Sequence, residues 1–186
     1  MINERFILTV VGKDHPGIVS GISSVLFEYG CNINELNQTV LSDEFAMILL
    51  LQPTRNININ ELDESLKKQC EMLNVTHFLR SASVIATTDK QSKKDKLIIT
   101  VLGSDKIGII AGVTNVLANM NINIIDLSAK PYKIYDKTQY AVVARVEVEN
   151  DFDILNLTKT FDECANQLSV DIKVQSQEIF RAMHKI

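Results

Sequence analysis

The sequence predicts an α+β protein made of two copies of one unit, each with an antiparallel sheet and its helices on one face. Three observations predict it. The segment GKDHPGIVSGISSVLFEYGCNINEL, from Gly12 to Leu36, returns as GSDKIGIIAGVTNVLANMNINIIDL, from Gly103 to Leu127, at a constant offset of 91 residues. In both copies the apolar pattern changes at the first shared glycine, from the short run of a buried strand to the stripe of a helix. A polar, charged stretch, TTDKQSKKDK from Thr87 to Lys96, lies between the copies and reads as a solvated linker. The predicted organisation is therefore residues 1–86 as a first domain, 87–96 as linker, and 97–186 as a second domain with a C-terminal tail.

The first strand covers Phe6 to Val11, a β-branched apolar run that stops at Gly12. Ile18, Ile22, Val25 and Leu26 then fall at i, i+4, i+7 and i+8, which puts them on one helical face. Gly30 ends that helix, because glycine takes the left-handed conformation that closes a helix. Asn32 to Leu41 and Glu44 to Gln52 read as a hairpin around Ser42-Asp43. Leu62, Leu66 and Leu73 mark a second helix, and Val75 to Ala86 a last strand.

The second copy follows the same order. Leu97 to Leu102 is a strand, and Ile109, Val113, Val116 and Leu117 form the stripe of a helix running to about Met120, closed by Asn119 to Asn121. Ile122 to Lys130 and Tyr140 to Val148 are strands, Leu157, Phe161 and Leu168 lie on a helix, and Val170 to Ser176 is a strand in which Val170, Ile172 and Val174 share one side. Matching Phe45-Ala46 to Tyr140-Ala141 raises the offset to 95, so the second hairpin is the longer and carries Lys130, Tyr132, Lys133, Tyr135 and Lys137. The order strand, helix, strand, strand, helix, strand is the ferredoxin-like βαββαβ unit. Such a sheet leaves edge strands and an open face, so the copies are expected to pair.

Composition narrows the function. A hydrophobic share of 46% provides a core for each unit, though units of this size gain by packing together, which favours a homo-oligomer. A net charge of −4 gives no electrostatic footprint for direct nucleic-acid binding. The start MINERFILTVVGKD lacks the pattern of a signal peptide, and no segment approaches the ~20 apolar residues of a membrane span, so a cytoplasmic protein is expected. Cys31, Cys70 and Cys164 are odd in number and without CxxC spacing, which indicates neither a disulfide framework nor a zinc site. Cys31 aligns with Ile122 and Cys70 with Ala165, so these thiols read as buried apolar side chains. No pattern brings His77 or His184 to a nucleophile, and GxSxG, Walker and HExxH motifs are missing, so no enzyme, cofactor or metal is expected.

The shared GxDxxGI (Gly12, Asp14, Gly17, Ile18; Gly103, Asp105, Gly108, Ile109), with Asn32-Ile33 and Asn123-Ile124 opening the next strand, resembles the ACT domain. That resemblance implies a regulatory module that binds an amino acid or related metabolite. Two such units filling a chain without an attached enzyme are similar to free-standing tandem ACT regulators, which include repressors of glycine cleavage.

The residues also speak for themselves. A glycine at a strand end permits a sharp turn, and a second at a helix start lets a ligand approach the main chain. Free N–H groups of the first helical turn suit a carboxylate, and Pro16 fits the first helical position. Asp14 and Asp105 fit either a helix cap or the receiver of an ammonium group. Asn32 and Asn123 offer donor and acceptor beside the loop, or serve as turn residues. His15 reads as a ligand contact, a pH-sensitive group or a solvated loop residue, and Lys106 stands in its place in the second copy. Mid-helix Gly21 and Gly112 imply close packing against the sheet or the partner unit. In the tail, Ile179, Phe180, Met183 and Ile186 fall on one helical face.

The expected function is an amino-acid-sensing regulator, with glycine as a plausible effector and a protein partner, such as a DNA-binding regulator, as its target. A ligand-independent assembly module and a detached regulatory subunit of an amino-acid enzyme are the alternatives.

Overall fold

A computed structural model describes residues 4–82, 94–134, 137–178 and 180. Two compact units divide the chain. The first contains β1 (Arg5–Lys13), α1 (Ile18–Glu28), β2 (Cys31–Leu41), β3 (Glu44–Pro53), α2 (Ile59–Met72) and β4 (Val75–Ala82). The second contains β5 (Asp95–Ser104), α3 (Ile109–Asn119), β6 (Asn123–Ile134), β7 (Lys137–Val148), α4 (Ile154–Leu168) and β8 (Asp171–Ser176). The sheets have the orders β2-β3-β1-β4 and β6-β7-β5-β8, antiparallel throughout. Each unit is thus βαββαβ, as its apolar patterning predicts.

The cores lie between helices and sheet. Ile18, Ile22, Val25 and Leu26 of α1 and Leu62, Leu66 and Cys70 of α2 are buried against Phe6, Leu8, Val10, Phe45, Met47, Leu49 and Leu51. Ile109, Val113, Leu117, Leu157, Phe161 and Cys164 do the same over the second sheet, with Val116 and Leu168 only partly buried. Each fully buried side chain of this size contributes about 1.5–3 kcal/mol. The second hairpin is the longer, with 12 residues each in β6 and β7 against 11 and 10 in β2 and β3, while the last strand is shorter, 6 residues in β8 against 8 in β4. Gly12 pairs with Phe45, and Gly103 with Tyr140, so the longer hairpin returns to the same register.

Helix ends follow the repeat as well. Gly30 (φ 67) and Asn121 (φ 56) take the left-handed conformation at equivalent places after α1 and α3. A bulge after Ile33 in β2 recurs after Ile124 in β6, leaving Asn34 and Ile125 outside the pairing. Most of the linker predicted over 87–96, residues 83–86 of the expected fourth strand, and Ile179, Met183 and Ile186 of the tail lie outside the described residues.

Candidate functional site

In both units the first strand hands over to the first helix through a glycine held in a conformation that L side chains rarely adopt. Gly17 (φ 106) and Gly108 (φ 99) are the N-cap residues of α1 and α3. Beyond the adjacent residues, no heavy atom lies within 4 Å of where a Cβ would stand on either, so the main chain is approachable from that side. Pro16 consequently sits before the cap rather than at the first helical position, because the left-handed glycine delays the helix to Ile18. Gly12, by contrast, is a packing residue and not a turn. It lies inside β1, where a Cβ would come within 2.8 Å of Val75 Cγ1, and Gly103 meets Val170 at 2.7 Å.

Capping separates α1–α4 into two kinds. Asn58 caps α2 by accepting from the Asn60 amide, and Asp153 caps α4 by accepting from the Asn156 amide. No side chain among the described residues caps α1 or α3. Asp14 and Asp105 are therefore not caps; Asp14 is exposed, and its amide donates instead to the Asp43 carbonyl at 2.7 Å. The first-turn N–H groups of α1 and α3 point past a bare glycine, with the positive end of the helix dipole behind them, beside an exposed carboxylate.

In the second unit this loop walls a cavity of about 460 Å³, lined by Asp105 to Ala111 and by Tyr140. Tyr140 was not evident as a site residue. Its signal was its alignment with Phe45, the partner of the shared glycine, with a hydroxyl added to a position that is buried in the first unit. Asn32 does not join the loop. It lies beyond the far end of α1, an 11-residue helix about 16 Å long, and lines a separate open cleft of about 700 Å³ with Ser23, Phe27 and Glu28. There Asn32 Nδ2 donates to Asn34 Oδ1 at 2.9 Å, and Asn34 Nδ2 to Gln52 Oε1 at 3.0 Å. Asn123, exposed at the start of β6, has the matching place.

A family model described as the ACT domain matches residues 4–79 and again 95–175. The chain belongs to the ACT domain family. ACT domains are regulatory modules that typically sense amino acids. A UPF0237 protein of Methanopyrus kandleri is 47% identical over 81 residues, covering 43% of this chain and 90% of the relative. One of Listeria innocua is 38% identical over 98 residues, covering 49% of this chain and 99% of the relative. These relatives are each about one ACT unit long. Among solved structures, an unknown protein of Galdieria sulphuraria is similar in fold at TM-score 0.76 and 23% identity, covering 93% of this chain and 98% of that one. A candidate glycine cleavage system transcriptional repressor is similar at TM-score 0.67 and 22% identity, covering 93% and 96%.

Within the two ACT units, the loop residue after the aspartate has a defined place. His15 Nε2 lies 2.7 Å from the Leu73 carbonyl at the end of α2, and Nδ1 lies 2.9 Å from the Pro16 carbonyl. Lys106 Nζ in the second ACT unit donates to the Leu168 carbonyl at 3.5 Å. His15 is thus held against the second helix rather than solvated freely. Gly21 and Gly112 face that same helix, not the sheet: a Cβ there would stand 2.9 Å from Leu73 Cδ1 and from Leu168 Cδ1 respectively. His77, on β4, contacts Asp63 Oδ1 of α2 at 3.0 Å. All three cysteines are buried, and burial pushes the Cys70 thiol up to about 11. Among the described residues no group of His, Cys, Asp and Glu is suited to a metal, and no helix is long and apolar enough to cross a membrane.

Proposed function

We propose that the chain is a cytoplasmic amino-acid sensor that binds its ligand at the glycine loops and acts through a protein partner. One observation carries the reading: in both ACT units the helix behind the loop is left without a side-chain cap, while its sister helix is capped. A ligand carboxylate accepts from the N–H groups of Ile18 and Val19 or of Ile109 and Ile110, and its ammonium group turns to Asp14 or Asp105. Gly17 and Gly108 let the ligand reach the main chain, and Tyr140 closes the second site. The catalytic groups of an enzyme have no part in this. Asn32 and Asn123 have no part in the loop site, since one small ligand does not span α1.

Glycine is the first ligand to test, because it needs no side-chain pocket and because one fold neighbour is a candidate glycine cleavage regulator. Binding shifts the partner equilibrium only by the ligand's difference in affinity between the two states. Thermal denaturation across the standard amino acids tests the proposal: a selective, saturable rise in Tm supports it. A flat panel from the folded chain contradicts it and favours an assembly module, for which the exposed Ile48 and Phe78 of the first sheet's open face speak.

A further inference from the structure

We propose that His15 is a pH-sensitive clasp tying the first glycine loop to the end of α2, where the second unit sets Lys106 against the end of α4. Both His15 nitrogens face backbone carbonyls, Pro16 O at 2.9 Å and Leu73 O at 2.7 Å. A carbonyl only accepts, and a neutral imidazole has one N–H, so only the imidazolium makes both bonds. Leu73 is the C-cap of α2. Its carbonyl is among those left without a helical partner, at the negative end of the dipole, where a cation is stabilised.

The second unit supplies the internal control. Lys106 occupies the position of His15, and its ammonium donates to Leu168, the last residue of α4. Lysine holds its charge well above neutral pH, whereas histidine titrates near it. Charged residues on the elements that meet near His15 are Lys13 at the end of β1, Asp14 on the loop, Asp43 on the β2–β3 turn, Glu44 at the start of β3, and Lys68 and Glu71 in the last turns of α2; of these, Asp14 is the one whose charge acts on the imidazole. The bond to Pro16 O raises the His15 pKa above 6.5 most, the bond to Leu73 O next; the Asp14 charge adds and desolvation opposes. The folded value is the higher one. The clasp is therefore complete below pH 6.5 and is lost as pH rises through the folded midpoint. Above it, one carbonyl loses its donor and the first loop is held at one point, while the second remains tied by its lysine.

The test needs no ligand, so it stands or falls separately from the proposed sensing. Ring ¹⁵N shifts of His15 and carbonyl ¹³C shifts of Pro16, Leu73 and Leu168 are followed in the full chain from pH 5 to 9. Both His15 nitrogens are expected to be protonated at low pH, with a midpoint above 6.5 shared by Pro16 and Leu73, and Leu168 is expected to stay still. H15K should flatten the Leu73 titration while keeping its low-pH shift, and H15Q should abolish both. A His15 midpoint at or below 6.5, or a Leu73 carbonyl indifferent to it, overturns the clasp.

Discussion

Gly12 faces Val75 across the β1–β4 pair so closely that a Cβ on the glycine would stand 2.8 Å from Val75 Cγ1 and 3.0 Å from Val75 Cα. The first glycine of the repeated motif is there for strand packing, and Gly103 against Val170 repeats the arrangement. Gly12→Ala should therefore destabilise the first unit by about 1–3 kcal/mol through overpacking. Adding Val75→Ala should recover part of that loss, seen as a coupling energy in urea denaturation of the double-mutant cycle. Additive losses would mean that the contact is not what excludes a side chain.

Gly17 presents the opposite case, since space is open around it and the backbone alone objects. Gly17→Ala should cost about 1–2 kcal/mol for the left-handed conformation, with no relief from trimming any neighbour. Substitution here should also weaken any amino-acid response more than Gly12→Ala does. Equal responses in the two variants would show that the loop surface is not used.

The capping pattern separates stability from binding. Asn58→Ala and Asp153→Ala should each lower stability by about 0.5–2 kcal/mol, because each removes a cap. Asp14→Ala and Asp105→Ala should change it by about 0.5 kcal/mol or less, because neither aspartate caps a helix. Thermal denaturation of the four variants checks the contrast. Ligand titration of the two aspartate variants then reads their proposed role, and a parallel loss in Asn32→Ala would show that the site is not confined to the loop.

Local periodicity made the elements legible. The Ile18, Ile22, Val25, Leu26 stripe and its counterpart fix both the helices and the faces they bury, and Gly30 and Asn121 mark where those helices end. Contacts between distant segments were not legible. His15 meets Leu73 across 58 residues, and nothing local in DHPG marks that partner. Gly21 and Gly112 showed that something packs closely; that it is the second helix follows only from tertiary geometry. Pro16 misled because proline suits the first helical position, yet the adjacent left-handed glycine displaced the helix start. The shared asparagine drew attention to the loop because it is close in the repeat, while the helix between them carries it away.

The buried thiols give a pH dependence of their own. Burial pushes the Cys70 thiol up to about 11 from 9.0 and raises those of Cys31 and Cys164 in the same direction. Each folded value lies above the unfolded one, so the associated stability is full below pH 9 and falls as pH approaches 11. Tm measured from pH 8 to 11 should decline less steeply in Cys70→Ala, which copies Ala165 at the aligned place. Alkylation of the native chain at pH 8 should be slow at Cys70 and become fast in denaturant.

The glycine loops can be observed directly by recording the backbone amide resonances of Gly17, Ile18, Gly108 and Ile109 while each standard amino acid is added. The proposed sensing predicts saturable shifts at one or both of these pairs for one amino acid or a related few, with the Asn60 and Asn156 amides, already taken by their caps, unmoved. Amides that stay still in the folded chain for every amino acid at millimolar concentration would contradict it.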